Sequence, residues 1–110
     1  MKVGILSDIH LRSAHERATL TELDSALARL DAFDPDRLVV LGDLIEDEDG
    51  ETDRRHVRAI RSALDGLGVP VTYLLGNHDV ERLSRADLRE LLSVERFYGR
   101  IEGSDLFYLD

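Results

Sequence analysis

The apolar and polar positions of this chain fall into blocks, and three of the apolar blocks predict strands. They are largely continuous runs rather than alternating ones, and they occupy residues 2–7, 37–41 and 71–75. Continuous runs are typical of strands in a parallel sheet that is covered on both faces. We therefore expect helices on one face of the sheet and some other covering layer on the opposite face.

The segment between the first two strands predicts a helix over about residues 19–33. Leucines recur there at helical spacing and form one apolar stripe. Thr19 and Glu22 have the spacing of a capping box, which would open the helix. Pro35 ends it, because proline cannot continue a helix and disfavours the helical conformation of the residue before it.

Two further helices follow the second and third strands. An acidic loop running to Asp53 precedes the second helix, and Gly66 and Gly68 are expected to provide its left-handed stop. The inward face of this helix is predicted to carry Val57, Ile60, Leu64 and Leu67. Ser84 opens the third helix, whose inward residues are predicted to be Leu88, Leu91 and Leu92.

The alternation of strands and helices predicts an α/β fold with a mainly parallel sheet and right-handed crossover helices. Residues 106–109 read as a further short strand. A chain of 110 residues has the usual size of one domain, so we interpret residues 1–110 as a single unit.

Short polar signatures follow each of the three predicted strands. Asp8 and His10 come after the first, Asp43 after the second, and Asn77 and His78 after the third. The intervals from Asp8 to Asp43 and from Asp43 to His78 are both 35 residues, about the length of one strand–helix–strand unit. Because the carboxyl ends of parallel strands share one edge of a sheet, these side chains should converge there. Carboxylate, amide and imidazole donors together suit divalent first-row metals.

Composition narrows the classes of function. The chain has no cysteine, so a metal site must use oxygen and nitrogen ligands. The net charge of −9 disfavours non-specific binding to nucleic acid or to anionic membranes. The beginning of the chain shows no signal-peptide pattern and no run is long enough to span a membrane, so a cytoplasmic protein is expected. The acidic surface with a single lysine, Lys2, suggests adaptation to high salt, although a GC-rich genome would favour arginine equally.

The signatures Asp8-Ile9-His10, Gly42-Asp43 and Gly76-Asn77-His78-Asp79 resemble the Asp-x-His, Gly-Asp and Gly-Asn-His-Asp motifs of calcineurin-like metallophosphoesterases. Their order and their positions at strand ends make the resemblance specific, and it covers essentially the whole chain. The chain is most similar to the bacterial and archaeal phosphodiesterase branch, which includes class III cyclic-nucleotide phosphodiesterases. The Asp-Arg-Gly sequence that protein Ser/Thr phosphatases carry after Gly-Asp is not found here.

The resemblance implies the first half of the metallophosphoesterase α/β sandwich and a pair of divalent ions, manganese, iron or zinc. It assigns Asp8 and His10 to the first metal, Asp43 to a bridge between the metals, and Asn77 to the second. It further implies hydrolysis of phosphodiesters or phosphomonoesters by a hydroxide that the two metals activate.

Three more residues receive roles by the same resemblance or by position. His78 resembles the residue that stabilises the developing charge, binds the substrate or protonates the leaving group, and Asp79 is its natural orienting partner. Arg12 follows the first motif closely and is a weaker candidate for holding a phosphate oxygen, with a plain surface role as the alternative. The expected substrate is a small phosphoester.

The chain departs from the family pattern in its second half. The family completes its site with three histidines in a Gly-His and a Gly-His-x-His motif, and no histidine follows His78 here. The chain therefore reads as the N-terminal half of the fold, with an uncovered sheet face that favours a homo-oligomer or a complementing C-terminal half. A catalytically deficient half-domain that binds a metal or a partner chain, and a truncated reading frame, are the alternatives to a working hydrolase.

The remaining polar features have simpler interpretations. The acidic run over residues 46–51 fits an EF-hand poorly and is interpreted as a solvated loop. His56 is expected on the surface of the second helix, while His15 lies in the loop after His10 and is a weak candidate to approach the site. The aromatic residues Tyr73, Phe97, Phe107 and Tyr108 are predicted to pack in the core or against the sheet.

Overall fold

The computed structural model describes residues 1–75, 83–92, 97–100 and 107–109. The strands are β1 (Val3–Ser7), β2 (Arg37–Leu41), β3 (Val71–Leu75), β4 (Phe97–Arg100) and β5 (Phe107–Leu109). The helices are a 3₁₀ turn (Ser13–His15), α1 (Glu16–Phe33), α2 (Gly50–Asp65) and α3 (Arg85–Leu91). No helix in this described part of the chain is both long and apolar enough to cross a bilayer.

The five strands form one sheet in the order β1-β2-β3-β5-β4. β1, β2 and β3 are parallel, while β5 runs antiparallel to β3 and β4 antiparallel to β5. The predicted α/β class is confirmed, with three parallel strands on one side of the sheet, as is the final strand. The antiparallel strand β4 was missed, because residues 97–100 are too short and too mixed to show strand periodicity.

The helices cover one face of the sheet, where the core lies. Leu38 and Val40 of β2 and Tyr73 of β3 point into this layer and are buried. The helical side of the core holds Leu23, Val57, Ile60, Leu64, Leu88, Leu91 and Leu92. Gly4 of β1 also faces α1, and a Cβ atom there would lie 2.8 Å from Leu30 Cδ2. The absence of a side chain at Gly4 therefore allows close packing of helix on strand.

The opposite face of the sheet exposes apolar side chains. Val3 is 41% exposed, Ile5 is 60% exposed and Leu41 is 39% exposed. They alternate with buried positions along β1 and β2, because successive side chains of a strand point to opposite faces. The prediction that both faces are buried is therefore wrong for β1 within this chain, and the predicted uncovered face is present.

The helix boundaries differ from the sequence prediction at three points. α1 begins at Glu16, not near Thr19, because the 3₁₀ turn over residues 13–15 runs straight into it. α2 begins at Gly50 because Asp49 caps it, its side chain accepting a hydrogen bond from the backbone N–H of Thr52. The left-handed residue after α2 is Gly68, with φ of 74°, whereas Gly66 keeps a right-handed helical conformation.

Other predicted features agree with the structure. The predicted bounds of β2 and β3 are those observed, and α1 ends at Phe33 before Pro35. The inward leucines of α3 are buried, and Ser84 caps that helix in a capping box with Asp87. Tyr73 is a core residue, as predicted, while the side chains of Phe97, Phe107 and Tyr108 lie outside the described part of the chain.

Candidate metal centre

The register of β1 and β2 brings two of the predicted loops to the same edge of the sheet. Ser7 is the partner of Leu41 in the parallel ladder, so both strands end at one level. Asp8 and Asp43 therefore leave the sheet side by side. Strand pairing, and not a long loop, sets the positions of Asp8 and Asp43. The start of each loop is therefore fixed relative to the other.

The backbone turns sharply at each of these residues. Asp8, His10 and Asp43 adopt φ values of 54°, 48° and 48°, in the left-handed region that non-glycine residues rarely occupy. Among the described non-glycine residues, the one other with positive φ is Asp34, which caps the end of α1. Such strained conformations concentrate at functional sites, where the surrounding structure holds them in place.

The three side chains converge to form a compact donor set. His10 Nε2 lies 3.3 Å from Asp8 Oδ1 and 4.0 Å from Asp43 Oδ2. One donor atom from each residue lies within 4.8 Å of the other two. Two carboxylate oxygens and one imidazole nitrogen in an open cluster fit a divalent cation such as Zn²⁺, whose catalytic sites use three protein ligands and keep a further position open.

The electrostatics of Asp8 favour its charged form. The hydroxyl of Ser7 donates a hydrogen bond to Asp8 Oδ2, and this contact is the main cause that lowers the pKa of Asp8 below its ordinary value. The neighbouring His10 lowers the pKa further, against a smaller opposing effect of desolvation. A carboxylate that stays ionised is the form that binds a cation.

Backbone hydrogen bonds hold the two loops against each other beyond the sheet. The N–H of His10 donates to the carbonyl of Asp43, and the N–H of Leu11 donates to that of Leu44, both at 3.0 Å. In the opposite direction, the N–H of Glu46 donates to the carbonyl of Leu11, also at 3.0 Å. These bonds extend the parallel pairing of β1 and β2 through the site, so His10 and Asp43 keep a fixed spacing.

Glu46 contacts the other side of the His10 ring. Its Oε1 atom lies 2.9 Å from His10 Nδ1, opposite the nitrogen that faces the two aspartates. Glu46 was not predicted to contact the site, because residues 46–51 have the sequence pattern of a solvated acidic loop. The signal available in the sequence was its place three residues after Asp43, directly following the apolar pair Leu44-Ile45.

A second polar cluster, formed by Ser13, Glu48 and Asp53, connects the loop after Asp43 to the 3₁₀ turn and to α2. Glu48 Oε2 accepts hydrogen bonds from the backbone N–H and the hydroxyl of Ser13, each at 3.1 Å. The backbone N–H of Glu48 donates to Asp53 Oδ1 at 3.0 Å. The interpretation of the acidic run as a merely solvated loop is therefore incomplete, because its carboxylates tie the 3₁₀ turn to the start of α2.

His56 lies beside this polar cluster and not on the surface. Its side chain is fully buried, so the prediction of a surface residue is wrong. Nε2 lies 3.9 Å from Glu16 Oε1, and Nδ1 lies 3.6 Å from Glu48 Oε2. The neighbouring arginines had suggested a solvated helix face, but α2 turns His56 inward beside Val57.

The remaining candidates divide into two groups. Arg12 and His15 are exposed around the 3₁₀ turn, and neither belongs to the cluster of Asp8, His10 and Asp43. Asn77, His78 and Asp79 lie outside the described residues, so their roles stay predictions.

Comparisons with known proteins bear on the whole chain. The family model for calcineurin-like phosphoesterases matches residues 1–109. The chain is 36% identical to a UDP-2,3-diacylglucosamine hydrolase from Serratia proteamaculans (strain 568) over 110 aligned positions, which cover 91% of this chain and 45% of that protein. It is also 36% identical, over 83 positions, to a protein of the same name from Vibrio parahaemolyticus serotype O3:K6 (strain RIMD 2210633), covering 72% of this chain and 34% of that protein.

A solved structure gives the same picture of the fold. A dimetal phosphatase from Danio rerio superposes with a TM-score of 0.71 at 21% identity, over 82% of this chain and 33% of that chain. The chain thus spans less than half the length of these relatives. The match of the family model over nearly every residue shows that the chain belongs to the calcineurin-like phosphoesterase family.

Proposed function

We propose that this chain carries the cation-binding half of a metal-dependent phosphoesterase. The observation that carries the proposal is the convergence of Asp8, His10 and Asp43 at the carboxyl ends of β1 and β2. Membership of the calcineurin-like phosphoesterase family supports the same conclusion independently. We propose two divalent ions, manganese, iron or zinc, with Asp43 between them and Asn77 on the second.

The residues of the chain would divide the work as follows. Asp8, His10 and Asp43 would hold the cations, which would supply Lewis-acid stabilisation of charge on the phosphoryl oxygens. The carboxylates offset part of the cation charge, and the ladder between the loops fixes their spacing. We assign His78 to substrate binding and to the leaving-group proton, Asp79 to orienting His78, and Arg12 to a phosphate oxygen.

The substrate class is a phosphodiester or phosphomonoester of small size. The Serratia and Vibrio relatives are named for hydrolysis of UDP-2,3-diacylglucosamine, so a UDP ester is a reasonable third class to assay beside simple monoesters and diesters. The net charge of −9 supports the view that nucleic acid and anionic membranes are not partners, and we propose a cytoplasmic location.

The test is metal-dependent hydrolysis of bis-p-nitrophenyl phosphate and p-nitrophenyl phosphate. We expect turnover with manganese or zinc in the wild-type chain and none in Asp43→Ala. Asp24→Ala is the matched control, because Asp24 is an exposed aspartate on α1 outside the site. Equal rates in wild type and Asp43→Ala would show that the activity belongs to a contaminant and would refute the assignment.

A second candidate function rests on the exposed sheet face. Val3, Ile5 and Leu41 present an apolar surface beside the site. We propose that a second copy of the chain covers this face, with a complementing C-terminal half as the alternative occupant. Metal binding without hydrolysis would favour this catalytically deficient half-domain over a working hydrolase.

A further inference from the structure

We infer that Glu48 is a positioning residue, which holds the loop that carries His10 against the loop that carries Asp43. The inference rests on the proposed metal site, because these two loops carry its ligands. Glu48 Oε2 accepts hydrogen bonds from the backbone N–H and from the hydroxyl of Ser13, each at 3.1 Å. Ser13 belongs to the segment after His10, and Glu48 belongs to the segment after Asp43. The carboxylate of Glu48 therefore joins the two ligand loops across a sequence separation of 35 residues.

This contact closes the far end of a short backbone ladder between the loops. The N–H of His10 donates to the carbonyl of Asp43, and Leu11 forms an isolated parallel bridge with Ile45. A two-stranded segment beyond the end of a sheet is marginally stable, because few hydrogen bonds offset the conformational entropy that is lost on ordering it. Such a ladder opens first at the end that lies farthest from the sheet. The hydrogen bonds of Glu48 lie at that end and oppose the opening.

Glu48 is itself held by buried side chains of α2. Its N–H donates to Oδ1 of Asp53 at 3.0 Å, and Asp53 is fully buried. His56, about one turn further along the helix, is also fully buried, and its Nδ1 atom lies 3.6 Å from Glu48 Oε2. The next residue, Val57, packs in the hydrophobic core. The backbone of Glu48 is thus attached to a helix that the core fixes, while its carboxylate reaches the other loop.

Glu48 acts on the site through the loops and is not itself a ligand. The cluster whose donor atoms all lie within 4.8 Å of one another contains Asp8, His10 and Asp43, and Glu48 is not a member. When the ladder opens, His10 and Asp43 move apart and a cation no longer meets its ligands together. Residues that hold a site in this indirect way typically change its binding by about 2- to 30-fold when they are replaced.

The first measurement is amide hydrogen exchange on the full chain without metal, in wild type and Glu48→Ala. The N–H groups of His10 and Leu11 should exchange roughly 10-fold faster in Glu48→Ala, because hydrogen bonds to a charged acceptor are lost. Ser13→Ala removes the hydroxyl bond alone and should accelerate the same amides less. The N–H of Leu38, which bonds to the carbonyl of Pro70 in the sheet, should keep its wild-type rate. A merely structural role would accelerate all of these amides together.

The second measurement is calorimetric titration with Zn²⁺ as the only added ligand. The affinity should be about 2- to 30-fold lower in Glu48→Ala than in wild type. Glu48→Gln removes the charge but keeps an oxygen acceptor for Ser13, so it should restore the slow exchange and most of the affinity. Glu51→Ala removes one charge from the exposed start of α2 and should leave both readouts unchanged.

The outcomes distinguish this inference from the proposed function. Zinc binding that is unchanged in Glu48→Ala, or unchanged exchange of His10 and Leu11, would overturn the positioning role and leave the metal site standing. Equal losses of affinity in Glu48→Ala and Glu48→Gln would also overturn it, since the charge alone would then explain the effect. A wild-type chain that binds no zinc, although Glu48→Ala opens the ladder, would refute the metal site and leave the contact between the loops confirmed.

Discussion

Two isoleucines of the same chain allow a direct test of the exposed sheet face. Ile5 on β1 is 60% exposed and Ile60 on α2 is fully buried. Replacing a fully buried isoleucine by alanine costs about 2–5 kcal/mol of unfolding free energy, because contacts are lost and a cavity remains. Ile5 keeps only two fifths of its surface buried, so the same substitution there should cost roughly 1–2 kcal/mol.

The assay is urea denaturation followed by circular dichroism, on Ile5→Ala, Ile60→Ala and wild type, at a concentration low enough to keep the chain monomeric. The loss in Ile60→Ala should exceed the loss in Ile5→Ala by a factor of about two or more. Equal losses at low concentration would refute the reasoning, since Ile5 would then be as buried in solution as a core residue.

The same face predicts self-association at higher concentration. A second copy covering it would bury Ile5, so light scattering should give a mass above that of the monomer for wild type and a lower mass for Ile5→Lys. If the wild-type chain stays monomeric at high concentration and its apolar sheet face stays exposed, the proposal that a second copy covers the face is contradicted.

Other predictions concern the third helix and the charge of the surface. Ser84→Ala should cost about 1 kcal/mol in urea denaturation, because Ser84 caps α3 through the backbone N–H of Asp87, and no loss would exclude the cap. The N–H of Ser84, followed by the Ser84 hydroxyl and Arg54, lowers the pKa of Asp87. The stability that ionised Asp87 contributes should be fully present above the ordinary aspartate pKa of about 3.9, and it should be lost as the pH falls through the lower pKa of Asp87 in the folded protein. Asp87→Asn should therefore reduce stability at pH 7 but not near pH 2. The melting temperature should rise from low salt to molar KCl, because screening relieves repulsion at a net charge of −9, and a flat salt dependence would exclude salt adaptation.

The part of the site that could be predicted from sequence is the part fixed by strand pairing. Apolar runs located β1, β2 and β3, and parallel strands end at one edge whatever their side chains are. The meeting of Asp8, His10 and Asp43 follows from that geometry. Membership of the family could also be predicted from the sequence, because the family's motifs are short and local.

The features that were missed depend on tertiary packing. His56 carries the same local signals as a surface residue, and only the packing of α2 against Glu16 and Glu48 buries it. Glu46 is one of several acidic residues in a row, and its contact with His10 exists because the backbone ladder continues past the sheet. The start of α1 was predicted too late in the chain, because Thr19 carries a local capping pattern that the preceding 3₁₀ turn overrides.

Anomalous diffraction from zinc-soaked crystals of this chain would show directly whether Asp8, His10 and Asp43 together hold a divalent cation. We expect an anomalous peak about 2.0–2.2 Å from His10 Nε2 and from carboxylate oxygens of Asp8 and Asp43. Zinc bound only elsewhere, such as along the acidic run over residues 46–51, or no peak at this edge of the sheet, would contradict this expectation.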